Sequence, residues 1–98
     1  MADLVIRDEA RQDIAEGYDW YEGRRAGLGA KFLDRVGECL DSIRVAPLAR
    51  AVVRGPYRRA VVRKYPYVVY YDVVGDVVTI WAVFQAQQNP RKLWNRLP

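Results

Sequence analysis

The stretch Tyr57–Ala86, YRRAVVRKYPYVVYYDVVGDVVTIWAVFQA, decides the fold. Its first run, Tyr57–Lys64, alternates: Ala60 and Val62 fall on one face, Arg59, Val61 and Arg63 on the other. Pro66 interrupts. Tyr67–Val74 is then β-branched and aromatic throughout, the composition of a strand. Gly75-Asp76 reads as a hairpin turn, and Val77–Ala86 as the last long strand. Its length and β-branched content favour a strand over a buried helix. Three antiparallel strands are therefore expected here, with Val52-Val53 just upstream as a short fourth.

Toward the N-terminus the period changes. Ala10, Ile14, Tyr18 and Tyr21 recur at helical spacing from Asp8 to about Gly23, with Trp20 beside the stripe. Asp8 is suited to cap this helix, and Glu9 favours its first turn. Gly17 weakens the helix by about 1 kcal/mol relative to alanine, which points to a close packing contact. GRRAGLG, residues 23–29, breaks the pattern. A second helix follows from about Gly29 to Val45, with Phe32, Leu33, Val36, Leu40 and Ile43 inward and Cys39 at the stripe's edge as a small core residue. Pro47 ends it. The short link favours an antiparallel helical hairpin. Ahead of all this, Leu4-Val5-Ile6 reads as a first strand. Beyond Asn89-Pro90, Arg91–Arg96 reads as a basic tail. The order gives one α+β domain over residues 1–98: an N-terminal strand, a helical hairpin, then a three- to four-stranded antiparallel sheet with the helices on one face.

Composition narrows the chemistry. The 98 residues include one cysteine and no histidine, so no internal disulfide, serine–histidine triad or ordinary zinc site is available. No cofactor or metal is expected. Ser42 and Thr79 are the only aliphatic hydroxyls, which argues against nucleophilic serine chemistry. The apolar runs are far shorter than the roughly 20 residues of a membrane helix, and the N-terminus lacks the apolar core of a signal peptide; a cytoplasmic protein with no membrane partner is expected. Glu16, Asp19 and Glu22 have helical spacing but read as a solvated face.

The formal charge of +4 is uneven. Residues 1–46 hold ten acids and seven bases; residues 47–98 hold two acids and nine bases. Arg54, Arg58, Arg59, Arg63 and Lys64 interleave with Tyr57, Tyr65, Tyr67, Tyr70 and Tyr71, and Arg91, Lys92 and Arg96 follow. Alternating cations and aromatics suit an anionic partner, through phosphate contacts and base stacking. They are equally ordinary on a half-wet sheet, where arginine stems cover tyrosine rings.

AEGYDWYEGRRAGLGAKFL, YRRAVVRKYPYVVYYDV and VTIWAVFQAQQNPRKLWNR together resemble the RelE/ParE toxin superfamily, ParE-like more than RelE-like. The resemblance rests on Trp20, Tyr21, Glu22, Gly27, Leu28, Gly29 and Phe32, on Arg58-Arg59, on Tyr65-Pro66-Tyr67 with Tyr71, and on Asn89-Pro90, Trp94 and Arg96. It implies the toxin of a type II toxin–antitoxin pair, neutralised by a small acidic or DNA-binding antitoxin encoded beside it. ParE-like members poison DNA gyrase. RelE-like members cleave mRNA at the ribosome. Where relatives commonly read His-x-x-Arg, this chain reads Gln85-Ala86-Gln87-Gln88. Glutamine hydrogen-bonds but does not titrate, and RNA cleavage needs groups that move protons.

Three alternatives follow from the resemblance. A ParE-like binder would meet a protein target through Arg54, Arg58, Arg59, Arg63, Tyr65, Tyr67, Arg91, Trp94 and Arg96. A RelE-like, metal-independent endoribonuclease would use Arg59, Arg63, Lys64, Tyr71 and Gln85. An inactive relic would bind antitoxin alone. The antitoxin is expected to use helix-in-groove or strand-addition contacts, with salt slowing association.

Overall fold

A computed structural model describes all residues, Met1–Pro98. Its elements are β1 (Asp3–Ile6), α1 (Asp8–Arg24), α2 (Leu28–Val45), β2 (Val52–Arg54), β3 (Tyr57–Val61), β4 (Tyr67–Val74), β5 (Val77–Gln85) and α3 (Arg91–Arg96). One five-stranded sheet has the order β1-β5-β4-β3-β2. The α+β class and the helical hairpin are as expected. The sheet differs: β1 joins it, parallel to β5, with Asp3 opposite Val77 and Ile6 opposite Ile80. The sheet is therefore mixed and has five strands, more than the three or four expected.

Both helices pack on one face. Phe32, Val36, Cys39, Leu40 and Ile43 of α2 meet Ala60, Val62, Tyr67, Val69, Tyr71, Val78, Ile80 and Val83, with Ala10 of α1. Gly17 lies where α1 crosses this core, and a Cβ there would stand 2.6 Å from Phe32 Cζ. The helix-weakening glycine thus marks the close contact its position suggests.

The hairpin is closed by a side chain. Gly27, at φ 92°, turns the backbone into α2, a conformation that glycine adopts without steric cost. Glu22 of α1 accepts hydrogen bonds from Gly27 N–H at 3.1 Å and Gly29 N–H at 2.9 Å. These are among the N–H groups that a helix start leaves without partners. Glu22 is thus a cap supplied by the neighbouring helix and not a solvated acid, whereas Glu16 and Asp19 are exposed as expected. At the start of α1 the capping position falls to Arg7, with Asp8 one residue inside, and no side chain caps it.

Two further boundaries move. Strand β3 stops at Val61, short of Lys64, because Lys64 adopts φ 70° in the turn toward Tyr65-Pro66. Arg91–Arg96 forms a short helix whose Leu93 is fully buried on the other sheet face with Val68, Ala82 and Phe84. A bulge fits β5 to that cover: Tyr70 pairs with Ala82 but Tyr71 with Ile80, leaving Trp81 extra. Trp81 and Ala82 both pack with the α3 side.

Candidate functional site

The face opposite the hairpin gathers cations over aromatic rings. Arg7 lies 5.0 Å from the Trp81 ring, Arg54 4.5 Å from Trp94, and Arg96 4.8 Å from Phe84. Tyr57 meets Trp81 edge-on at 6.3 Å. Arg59 pairs with Tyr70 across the ladder and is exposed. Its neighbours Arg58 and Ala60 stand opposite Tyr71 and Val69 of the helix-side core, so period-two alternation puts Arg59 on this second face. The Trp81 Nε1–H is buried without an acceptor.

Arg96 anchors α3 and completes a strand edge. Beyond Ile80, β5 has lost its β1 neighbour. There Asp13 Oδ2 accepts from Val83 N–H at 3.0 Å, and Arg96 Nη1 donates to Trp81 O at 3.3 Å. Arg96 also forks onto Asp13, at 2.6 and 3.3 Å. Burial pushes the Asp13 carboxyl above the usual range, and this outweighs the lowering by Arg96 and by the Val83 N–H. The pair is thus a positioning contact more than a source of net electrostatic stability.

The residues expected at a contact surface divide. Arg54, Arg59, Trp94 and Arg96 share the second face, and Arg91 is exposed at the start of α3. Arg58 instead reaches back to the Leu48 and Arg50 carbonyls. Arg63 pairs with Glu38 of α2 at 3.2 Å. Tyr65 and Tyr67 stack edge-on against Tyr21 and Phe32 under the hairpin. The residues expected of a nuclease do not converge. Arg59 is on the second face and Arg63 on Glu38. Lys64 is exposed in its turn. Tyr71 is fully buried on the helix side, where its hydroxyl donates to Pro47 O at 3.0 Å and burial raises its pKa. Gln85 is exposed at the end of β5, its amide 3.4 Å from the Tyr67 hydroxyl. A cavity of about 240 Å³ beside it is lined by Asp13, Gly17, Trp20, Val83 and Gln88, among others.

With this geometry in view, the family can be stated. The profile of the family described as "ParE toxin of type II toxin-antitoxin system, parDE" matches residues 4–90. The chain belongs to the ParE toxin family. A search of curated proteins returned no significant match. Among solved structures, one titled "Chromosomal ParDE TA system from P. aeruginosa" is similar in fold, with a TM-score of 0.65 at 18% identity, covering 87% of this chain and 96% of that one. The ParE match spans β1 to β5 and ends before α3, so Trp94 and Arg96 lie outside it.

Arg7, Asp13 and Trp81 complete this surface and were not singled out from the sequence. Trp81 alone carried a signal: Thr79 and Trp81 alternate with the inward Val78 and Ile80. Arg7 and Asp13 read as ordinary surface charges. No group of three or more carboxylates and thiols is arranged to hold a metal ion. No helix is long and apolar enough to cross a membrane.

Proposed function

We propose that this ParE-family toxin arrests growth by binding a protein target, such as DNA gyrase, with the second sheet face, and that a cognate antitoxin neutralises it in the cytoplasm. The observation that carries the reading is the scatter of the alternative catalytic set. General acid–base chemistry needs its groups within hydrogen-bond reach of one scissile site. Arg59 and the buried Tyr71 stand on opposite faces, and Arg63 is held by Glu38. The second face has the residue types that dominate protein contacts, tryptophan, tyrosine and arginine, with Arg54 and Arg59 exposed.

The test is induced expression without antitoxin, followed by colony counts, primer extension on cellular mRNA, and a supercoiling assay with purified gyrase. Growth arrest with inhibited supercoiling and intact mRNA is expected, and Arg59→Glu should relieve both effects. New mRNA cleavage sites within codons would replace this reading with the ribosome-dependent endoribonuclease. Undiminished growth would leave an inactive, antitoxin-binding relic.

A further inference from the structure

The outer edges of the sheet are guarded unequally. Past Ile6, the exposed edge of β5 is closed by the side chains of Asp13, Arg96 and Gln88, the last accepting from Gln85 N–H at 3.3 Å. Strand β3 has no such closure. In β2, Val52 stands opposite Arg58, so β3 runs on through Val61 beside no strand. Val62 N–H donates to Tyr67 O at 2.9 Å, so Val62 faces β4. Antiparallel alternation then turns the N–H and C=O of Val61 outward. That carbonyl meets only the Cys39 thiol, at 3.7 Å.

The gap is basic. A cavity of about 270 Å³ beside Val61 is lined by Arg35, Ser42, Arg50 and Arg63, with Glu38 its one acid. Glu38 is shared between Arg35 at 3.0 Å and Arg63 at 3.2 Å. Arg50 donates to Ser42 Oγ at 3.0 Å and has no acidic partner. From Ser42 to Tyr71 the chain carries seven Lys and Arg and no Asp or Glu. Val61 and Val52 add side chains that are 66% and 50% exposed.

We propose that this gap receives an extended acidic segment of a partner protein, added as a strand along β3 at Val61, with a carboxylate on Arg50. The identity of that partner as the antitoxin rests on the function proposed above. Strand addition gives main-chain hydrogen bonds to an edge that lacks them, and alternate side chains set the selectivity. An acidic occupant answers the local charge. A second copy of this chain would oppose like charge with like.

The experiment follows amide exchange by NMR during titration with a peptide of about twelve residues alternating Glu and Val. Exchange at Val61 is expected to slow by about tenfold or more on binding. Arg50→Glu should weaken the peptide by about tenfold or more, while Arg50→Lys retains most of the affinity. A peptide alternating Lys and Val should leave Val61 unprotected. Binding that protects β1 or the second face and leaves Val61 unchanged would overturn the proposal, as would affinity undiminished in a folded Arg50→Glu protein. Self-association that protects Val61 without peptide would overturn it in favour of a second copy. Growth arrest without Val61 protection leaves the toxin reading standing and removes this one; protection without arrest does the reverse.

Discussion

On the helix-covered face of the sheet, Tyr67 and Tyr71 are buried among Phe32, Tyr21 and valines, and no cation enters. On the opposite face, arginines lie over Trp81, Trp94 and Phe84 at 4.5 to 5.0 Å. The two faces belong to the same strands and draw on the same residue types. What separates them is cover. A helical hairpin of two long helices seals the first face, whereas six residues of α3 shade part of the second. A ring under a sealed cover contributes packing. A ring under a mobile guanidinium keeps a surface that another molecule can share. Stability is therefore expected to reside on the first face and target contact on the second.

The largest effect should come from the sealed face. Phe32→Ala is expected to cost about 3–5 kcal/mol, and Leu93→Ala, beneath α3, nearer 2 kcal/mol in urea unfolding. A Leu93 variant as damaged as the Phe32 variant would erase the difference between the faces. Next, Arg96→Ala should cost about 2–3 kcal/mol at neutral pH by leaving Asp13 buried without its partner. Its dependence on pH has a defined sign. Asp13 is raised above 3.8 in the folded protein, so the unfolded chain loses this proton first and stability falls as pH rises from 3.8 through the folded value. Removing Arg96 raises the folded value further and widens that window. Below 3.8 the carboxyl is protonated in both states, so the variant should lose the least there; a loss independent of pH would sink the assignment.

Gly17→Ala should then destabilise by about 1–2 kcal/mol, despite alanine's better helix propensity, because the added methyl meets Phe32. Thermal unfolding reads this directly, and a stabilised variant would mean the ring can yield. The smallest stability effect belongs to the second face. Arg54→Ala should cost less than about 1 kcal/mol, the worth of an exposed cation–aromatic contact, yet it should blunt growth arrest. Equal arrest at equal expression would show that the Arg54–Trp94 contact is only cover.

Local patterns made much of this fold readable, and distant pairings hid the rest. The β4–β5 hairpin shows in its β-branched runs around Gly75-Asp76, and α2 in a stripe that recurs over five turns of helix. The parallel pairing of β1 with β5 leaves no local mark, because nothing in Leu4-Val5-Ile6 names a partner near the other end of the domain. Helix α3 is too short to show a period. Glu22 looks like any wet acid until the hairpin brings Gly27 and Gly29 to it. Asp13 and Arg96 look like surface charges until the end of β1 leaves β5 an open edge for them to close. Tyr71 and Arg59 were read together as site residues, but strand alternation sends them to opposite faces. In each case the deciding contact is a tertiary one.

The pairing of β1 with β5 also sets an order of events during synthesis. The strand made first needs the strand made last of the five, and α1 needs Arg96 from near the far terminus to close the β5 edge through Asp13. Contacts of such long sequence separation form late and fold slowly. A growing chain therefore holds its helices without a finished sheet until β5 has left the ribosome. The interval before the binding surface exists is built into the connectivity, and it gives a co-produced partner time to reach the open edge of β3 first.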